Sequence, residues 1–501
     1  MVFEELNPKS LYDELIINRK PYEDRAEKLA KVTVPYVFPT ASANQSSDLE
    51  DSYGMRYSSI LINSLASQIS LALLPPSGSA FRFDPDAEGM EQLTQGDANA
   101  RAVIMAQLGQ QVLRVNKEVE NQSIRPVMAE FLLAMITTQP VVVEKVKNKG
   151  IKWHGLRNFA VKLDDFGDLL QLVVKETLYK ASLPDGIEVP DDDKEEYDLY
   201  TMCVLEDGQW RVKQSIDGEE VGSESKYKVD KLPYTYLGWV RQKGDEYHRP
   251  FSEQYYGLMK DYEDINRVLV QGSIGASKSI ILVNPLGSTR KSDIANSNNF
   301  DVIDGREDDI GSYQLKKNYD FQIPMQKEEQ LIKLLERAFL SRQGTQRNAE
   351  RVTAEEISQN AQELDKDKAG IYSILSKKFT KWLIKHLMDE LGIKFETIDV
   401  NVITGLDALG RNMESRKLDN YMSRIANFGY NDWIKESEVI TRYAAYDGID
   451  TVNLIKTPDE VSQERQAAQQ QAMQQQLLAS GADALGKTAG EGVGQAMSQQ
   501  Q

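Results

Sequence analysis

Apolar or small side chains recur at alternating three- and four-residue steps at Tyr255, Leu258, Tyr262, Ile265, Leu269, Gly272, Ala276 and Ile280. This narrow seam predicts one helix opening at Ser252 and running towards residue 282. Its second half is crowded with Gly272, Ser273, Gly275, Ala276, Ser277 and Ser279. Such residues permit close helix–helix approach, but each Gly costs about 1 kcal/mol in a helix, so a loop is the alternative. A second helix restarts at Pro324, with Leu331, Leu335, Ala338 and Phe339 on one face. A third stripe, through Ile357, Ala361, Leu364, Ile371, Leu375, Phe379, Leu383 and Leu387, predicts a helix from Thr353 to Leu391. Uninterrupted, it would be about 58 Å long. Lys368 falls at an apolar position of this stripe and Gly370 follows, which predicts a bend.

Elsewhere the pattern changes. Residues 1–30 read as helical and charged, and 32–50 are broken by Pro35 and Pro39. Residues 52–74 carry a helical pattern stopped by Pro75-Pro76, and 97–121 predict another helix. Strands are predicted at 141–143, 159–163, 169–174, 197–205 and 209–214, with Asp207-Gly208 as a hairpin turn. Residues 283–322 read as irregular, with short strands around Val302-Ile303 and Tyr313 to Leu315. Residues 411–456 predict shorter helices, 462–476 are Gln- and Ala-rich, and 480–501 are expected to be disordered. No internal repeat is visible.

A polar link, residues 342–352, separates the second helix from the third and holds Arg342, Gln343, Gln346, Arg347, Asn348 and Arg351. Thr353 and Glu356 form a capping box where the third helix begins. The formal net charge of the 501 residues is −18, so a concentration of arginine stands out. An acidic chain is not a general nucleic-acid binder, yet rigidly presented positive charge fits contact with a polyanion. Salt bridges to Glu350, Glu355 and Glu356 explain the same arginines equally well.

Catalytic motifs are weak. Gly272-Ser-Ile-Gly-Ala-Ser-Lys278-Ser279 approaches a phosphate-binding loop, but Ser277 occupies the second Gly position and the preceding pattern is helical rather than strand-like. His154, His248 and His386 lie far apart without ligand spacing, and Cys203 has no partner, so neither a zinc site nor a catalytic cysteine is expected. The acidic runs 191–193, 195–196 and 308–309 lack a Ca²⁺-loop pattern. One cysteine and no signal-peptide pattern lead to an expected reducing compartment. The most apolar stretch, 60–74, is interrupted by Asn63, Ser64, Ser67, Gln68 and Ser70, so a soluble chain with no membrane span is expected.

The run Arg347-Asn-Ala-Glu-Arg-Val-Thr-Ala-Glu-Glu-Ile357, followed by Gly370-Ile-Tyr-Ser-Ile-Leu-Ser376, resembles the head-to-tail connector (portal) proteins of short-tailed phages. Leu73-Leu-Pro-Pro-Ser-Gly-Ser-Ala-Phe-Arg-Phe83, Tyr256-Gly-Leu-Met-Lys-Asp261, Leu282-Val-Asn-Pro-Leu-Gly287 and Asp301-Val-Ile-Asp-Gly305 are similar to that family in the same order. The resemblance covers roughly residues 50–460.

It implies an α+β, mainly helical subunit. The N-terminal arm and wing would be 1–251, with a β-rich part at 141–240. Stem helices would lie at 252–282 and 323–341, with an α/β clip at 283–322 between them. A channel loop at 342–352, a long wing helix at 353–400, a crown at 401–460 and a Gln/Ala/Gly-rich tail at 461–501 would follow.

By the same resemblance the chain would form a homo-oligomeric ring, a dodecamer, at one capsid vertex. Double-stranded DNA would be packaged and ejected through it. The implied partners are the terminase large subunit, tail adaptor, major capsid protein, scaffolding protein and internal core proteins. No cofactor, metal or catalytic residue is implied, and the location would be the virion, with host cytoplasm during assembly. Arg342, Gln343, Gln346, Arg347, Asn348 and Arg351 would face DNA. Asn284, Arg290, Lys291, Asp304, Arg306, Asp308 and Asp309 would dock terminase or adaptor. Twelve helices spaced about 10 Å apart leave a bore of roughly 28 Å, enough for duplex DNA. The rivals are a nucleotide-driven DNA translocase using Lys278 and a capsid scaffolding protein.

Overall fold

A computed structural model describes residues 3–39, 55–75, 80–85, 98–180, 194–277, 279–298, 301–314, 322–339, 370–393, 400–404, 418–425, 439–440 and 470. The chain divides into two units. The first comprises Met1–Phe81, Val115–Ile393 and Thr404–Leu409, the second Arg82–Arg114, Lys394–Ile403 and Gly410–Gln501. The candidate functional site lies in the first.

Helices α1 (Pro8–Leu15), α2 (Lys20–Val32) and α3 (Met55–Leu73) open the chain. Asn7 caps α1, its side chain accepting from the N–H groups of Lys9 and Ser10, with Pro8 in the first turn where no donor is needed. Strand β1 (Phe81–Pro85) and helices α4 (Ala98–Asn121) and α5 (Ile124–Thr137) follow. The pattern reading missed α5. Ile124, Met128, Phe131, Leu132, Ala134, Met135 and Ile136 are all buried, so its apolar residues surround the axis and leave no stripe to detect.

Two antiparallel sheets then form. Strands β2 (Val141–Val146) and β3 (Gly150–His154) join β9 (Tyr234–Leu237) in the order β3-β2-β9. Strands β4 (Phe159–Leu163), β5 (Leu169–Tyr179), β6 (Glu196–Glu206), β7 (Gln209–Ile216) and β8 (Glu219–Lys228) form a meander in sequence order. Side chains alternate across this sheet, as the two-residue strand period requires. Ala160, Val173, Met202 and Val204 pack with Leu11 and Tyr12 of α1 on one face. Phe159, Leu172, Val174 and Cys203 pack with Val142, Tyr236 and Ala26 on the other. Asp207 and Gly208 both take positive φ, 49° and 74°, the requirement for a tight turn between right-twisted strands.

Helix α6 (Tyr256–Ser277) follows a short 3₁₀ segment, Phe251–Tyr255. The helix expected over 252–282 is therefore shorter at both ends. It runs through Gly272 and Gly275, which excludes the loop alternative there, and Ser279–Val283 is strand β10. Strand β11 (Ile310–Gln314) pairs with β10, Ser279 opposite Gln314 and Val283 opposite Ile310. A short helix α7 (Lys291–Asn296) lies between them. Val302 and Ile303, expected in a strand, are exposed and outside any strand. Helix α8 (Gln322–Ala338) completes this region.

Helix α9 (Ile371–Leu375) passes through a π-helical turn, Ser376–Thr380, into α10 (Lys381–Glu390). Gly370 caps α9 in the left-handed conformation at φ 73°, so a right-handed helix cannot run unbroken through it. The expected helix also ends before 400, since α10 stops at Glu390 and Val400–Thr404 is strand β12, paired with β1. Lys145 of β2 meets Glu390 of α10 at 2.7 Å, with side chains only 2% and 10% exposed. Burial pushes the Glu390 carboxyl up, but hydrogen bonds from Gln122, Lys145 and the Asn148 N–H outweigh it and hold it below its ordinary range. Among the described residues no helix is long and apolar enough to cross a membrane.

Candidate functional site

The candidate site is the projection made by α6, the β10–β11 hairpin and α8. Its base is an aromatic cluster. Phe251 packs 4.8 Å from Trp239 and 5.4 Å from Phe339, and Tyr255 lies 5.8 Å from Phe339. Arg249 clamps the start of the projection, pairing with Asp245 at 2.7 Å and Glu253 at 2.9 Å. Next along α6, Tyr262 packs 5.7 Å from Tyr57, and the Tyr57 hydroxyl donates to Glu336 of α8 at 2.5 Å. Asn266 donates to Glu328 at 2.9 Å, a direct link between α6 and α8.

Burial falls away from the base. Met259 and Tyr262 are buried, but Val268 and Ile274 of α6 are exposed, and so are Ile323, Met325 and Leu334 of α8. Ile281 and Leu282 of β10 are likewise exposed. Eleven of the twenty-one exposed large hydrophobic side chains among the described residues lie between Val268 and Leu334. Concentrated apolar exposure of this kind marks an interaction surface rather than ordinary scatter.

The far end is tied by one carboxylate. Asp309 accepts from the Ser288 N–H at 2.8 Å, and from the Ser288 hydroxyl, the Thr289 N–H and the Thr289 hydroxyl at 3.2 Å each. Burial pushes this carboxyl up, but the bonds from Thr289 and Ser288 win and hold it below the usual carboxylate range. Two glycines make room. A Cβ on Gly287 would sit 2.3 Å from the Asp309 carboxyl carbon, and one on Gly305 would sit 2.6 Å from the Thr289 hydroxyl. Asn284 starts the loop with an Asx turn, its side chain accepting from the Leu286 N–H at 3.0 Å. Its own N–H donates to the Asp309 carbonyl at 2.9 Å.

The sequence-predicted docking residues thus separate into two kinds. Asp309 is buried inside the knot and the exposed Asn284 shapes its turn. Arg290, Lys291, Asp304, Arg306 and Asp308 are exposed, with no side-chain ion pair among the described residues. Leu286 and Val302, 94% and 99% exposed, lie in the same loop between β10 and β11 and were not among the expected docking residues. Gly287, Ser288 and Thr289 were missed as a functional unit, although Gly-Ser-Thr is readable turn chemistry. Arg342, Gln343, Gln346, Arg347, Asn348, Arg351, Thr353 and Glu356 lie outside the described residues, as does Lys278. A phosphate-binding loop needs a strand before its glycines and a helix after; here a helix precedes and a strand follows, so the nucleotide reading loses its context.

Comparison with known proteins agrees with the resemblance. The family model for the bacteriophage head to tail connecting protein matches residues 7–394. The chain is 29% identical to the portal protein of Enterobacteria phage T3, covering 97% of this chain and 93% of that protein. It is 29% identical to the portal protein of Escherichia phage T7, over 93% of this chain and 90% of that protein. The portal protein of Enterobacteria phage SP6 is 27% identical, with 94% of each covered. Among solved structures, the neck of a native GTA particle computed with C12 symmetry aligns at a TM-score of 0.32 and 11% identity, over 75% of this chain and 98% of that one. With a family match across most of its length, the chain belongs to the bacteriophage head-to-tail connecting protein family.

Proposed function

We infer that this chain is the repeating subunit of a portal ring that connects a phage head to its tail and carries the genome through its axis. The observation that carries this reading is the solvent-exposed apolar surface of α6, β10 and α8 in a chain of the connector family. Copies packed side by side would cover Val268, Ile274 and Leu334, with twelve copies the expected number. In this reading α6 and α8 are the stem, and β10, α7 and β11 are the clip. The segment 342–352 is the channel loop, 353–400 belongs to the wing, and 401–460 is the crown.

The clip tip is the docking point for the terminase during packaging and for the tail adaptor afterwards. Exposed Arg290, Lys291, Asp304, Arg306 and Asp308 supply polar contacts around apolar Leu286 and Val302. The remaining partners are the capsid, scaffolding and core proteins, and the place is the capsid vertex of the virion. The protein's part is structural: it supplies a fixed channel while a separate motor hydrolyses nucleotide. An overall charge of −18 per subunit keeps the wall repulsive to phosphate, so a sparse ring of arginines retains DNA without gripping it.

Electron microscopy of the purified chain tests this directly. Rings with an open axial channel are expected, and a protein that stays monomeric under all assembly conditions overturns the reading. Mass spectrometry of mature particles separates a portal, which is retained, from a scaffold, which is absent.

A further inference from the structure

His154 has no ligand-spaced neighbour in the sequence, yet the fold closes it into a recess with two carboxylates. Glu144 comes from β2, His154 from β3 and Glu176 from β5. One ligand atom of each lies within 4.8 Å of the other two. The ladder places Glu144 opposite Lys152 and Val142 opposite His154, so Glu144, Lys152 and His154 share one face of the small sheet. Glu176, from the larger sheet, pairs with Lys152.

These groups are largely withdrawn from water. Side-chain exposure is 3% for His154, 19% for Glu144 and 13% for Glu176. Two carboxylates this close repel unless a cation sits between them. Lys152 is the basic side chain that pairs with the recess, and at 46% exposed it can swing into solvent. Glu144 is already oriented for ligation. The Tyr234 hydroxyl donates to its Oε1 at 3.2 Å, while its Oε2 faces His154 Nε2 at 3.0 Å.

We propose that Glu144, His154 and Glu176 bind a divalent first-row transition ion of the zinc class, clamping the β2–β3 hairpin onto β5. Tetrahedral zinc bonds of about 2.0–2.2 Å put neighbouring ligand atoms about 3.3 Å apart. Glu144 and His154 stand close to that separation. Glu176 reaches it by releasing Lys152 and rotating its side chain, and water completes the fourth position. An imidazole beside carboxylates selects zinc over magnesium or calcium. Glu144 and Tyr234 also line a cavity of about 540 Å³, so the Glu144 carboxylate is reached from solvent on that side.

Equilibrium dialysis of the full chain against Zn²⁺, with metal quantified per chain, tests the assignment. One ion per chain is expected, with a matching rise in the thermal transition. H154Q and E176Q should each lower the affinity at least tenfold, and Y234F should lower it about tenfold through its hold on Glu144. K152A removes the competing cation and should tighten binding. Its surface position makes it the variant to rely on if H154Q fails to fold. No retained Zn²⁺ in either the wild type or K152A overturns the proposal, as does equal retention by H154Q and E176Q.

Discussion

Asp309 accepts from both the N–H and the hydroxyl of Thr289, each at 3.2 Å, and so ties together the two arms of the loop between β10 and β11. The same hydroxyl accepts from the Arg306 N–H at 2.9 Å, so one threonine serves both arms. The tip is held by a buried carboxylate and small residues, while Arg290, Lys291, Asp304, Arg306 and Asp308 stay exposed to solvent.

D309A should therefore leave stem and ring intact while the tip loses order. Hydrogen exchange at Ser288 and Thr289 should accelerate and binding of a terminase or adaptor should fall. G287A should act similarly, because its Cβ would sit 2.3 Å from the Asp309 carboxyl carbon. Unchanged exchange in D309A would remove the carboxylate from this role. The pH dependence has a definite sign. The folded carboxyl is depressed, so its contribution is present above the unfolded value of about 3.9 and is lost as pH falls through the lower folded value. Tip protection should be flat from neutral pH down to about pH 4 and decline only below it.

Val268→Asp and Leu334→Asp place charge on exposed positions of α6 and α8. Neither disturbs a buried contact in the single chain, so circular dichroism should be unchanged. Ring formation, read by light scattering and electron microscopy, should fail or drop sharply. Normal rings in both variants would show that this surface faces something other than a neighbouring copy.

Lys145→Met leaves Glu390 without the cation it meets at 2.7 Å. Removing one partner of a buried pair costs about 3–5 kcal/mol. Gln122 and the Asn148 N–H still serve Glu390, so the lower end of that range is expected. Denaturant unfolding measures it, and the double variant K145M/E390L should recover most of the loss.

Gly208→Ala tests the β6–β7 turn. Nothing lies within 4 Å of the added Cβ, so the whole effect is the positive φ of 74°, worth about 1–2 kcal/mol. Asp207→Asn should be near neutral, since Asn tolerates the same conformation.

Arg347→Ala, alone and with Arg342→Ala and Arg351→Ala, should leave ring assembly intact and lower the amount of DNA retained in filled heads. Loss of assembly instead would make these arginines subunit-interface salt bridges.

Much of the fold was legible. The strand at 209–214 follows from alternation, that at 159–163 from a short apolar run buried on both faces, and the turn between β6 and β7 from Asp-Gly. Helix α5 was not legible, because a helix apolar on every side has no period to read. The end of α6 was misplaced because the seam continues to Ile280, while pairing with β11 draws Ser279–Val283 into a strand. Of the residues proposed for docking, the five charged ones found exposed could be read from the sequence as polar loop positions. That Asp309 turns inward was not, since this depends on Gly287 and Thr289 meeting it across the loop.

Local stretches of the chain specify the helix stripes, the alternating strands, the turn residues, an acidic composition with one arginine-rich segment, and membership of the connector family. Only the tertiary structure decided which distant groups share a site. Lys145 finds Glu390, and Glu144 of β2 with His154 of β3 finds Glu176 of β5, because strand register and sheet packing bring them together. A side chain's period is encoded within a few neighbouring residues. Its partner across the core is set by packing that involves the whole chain, and no local stretch carries it.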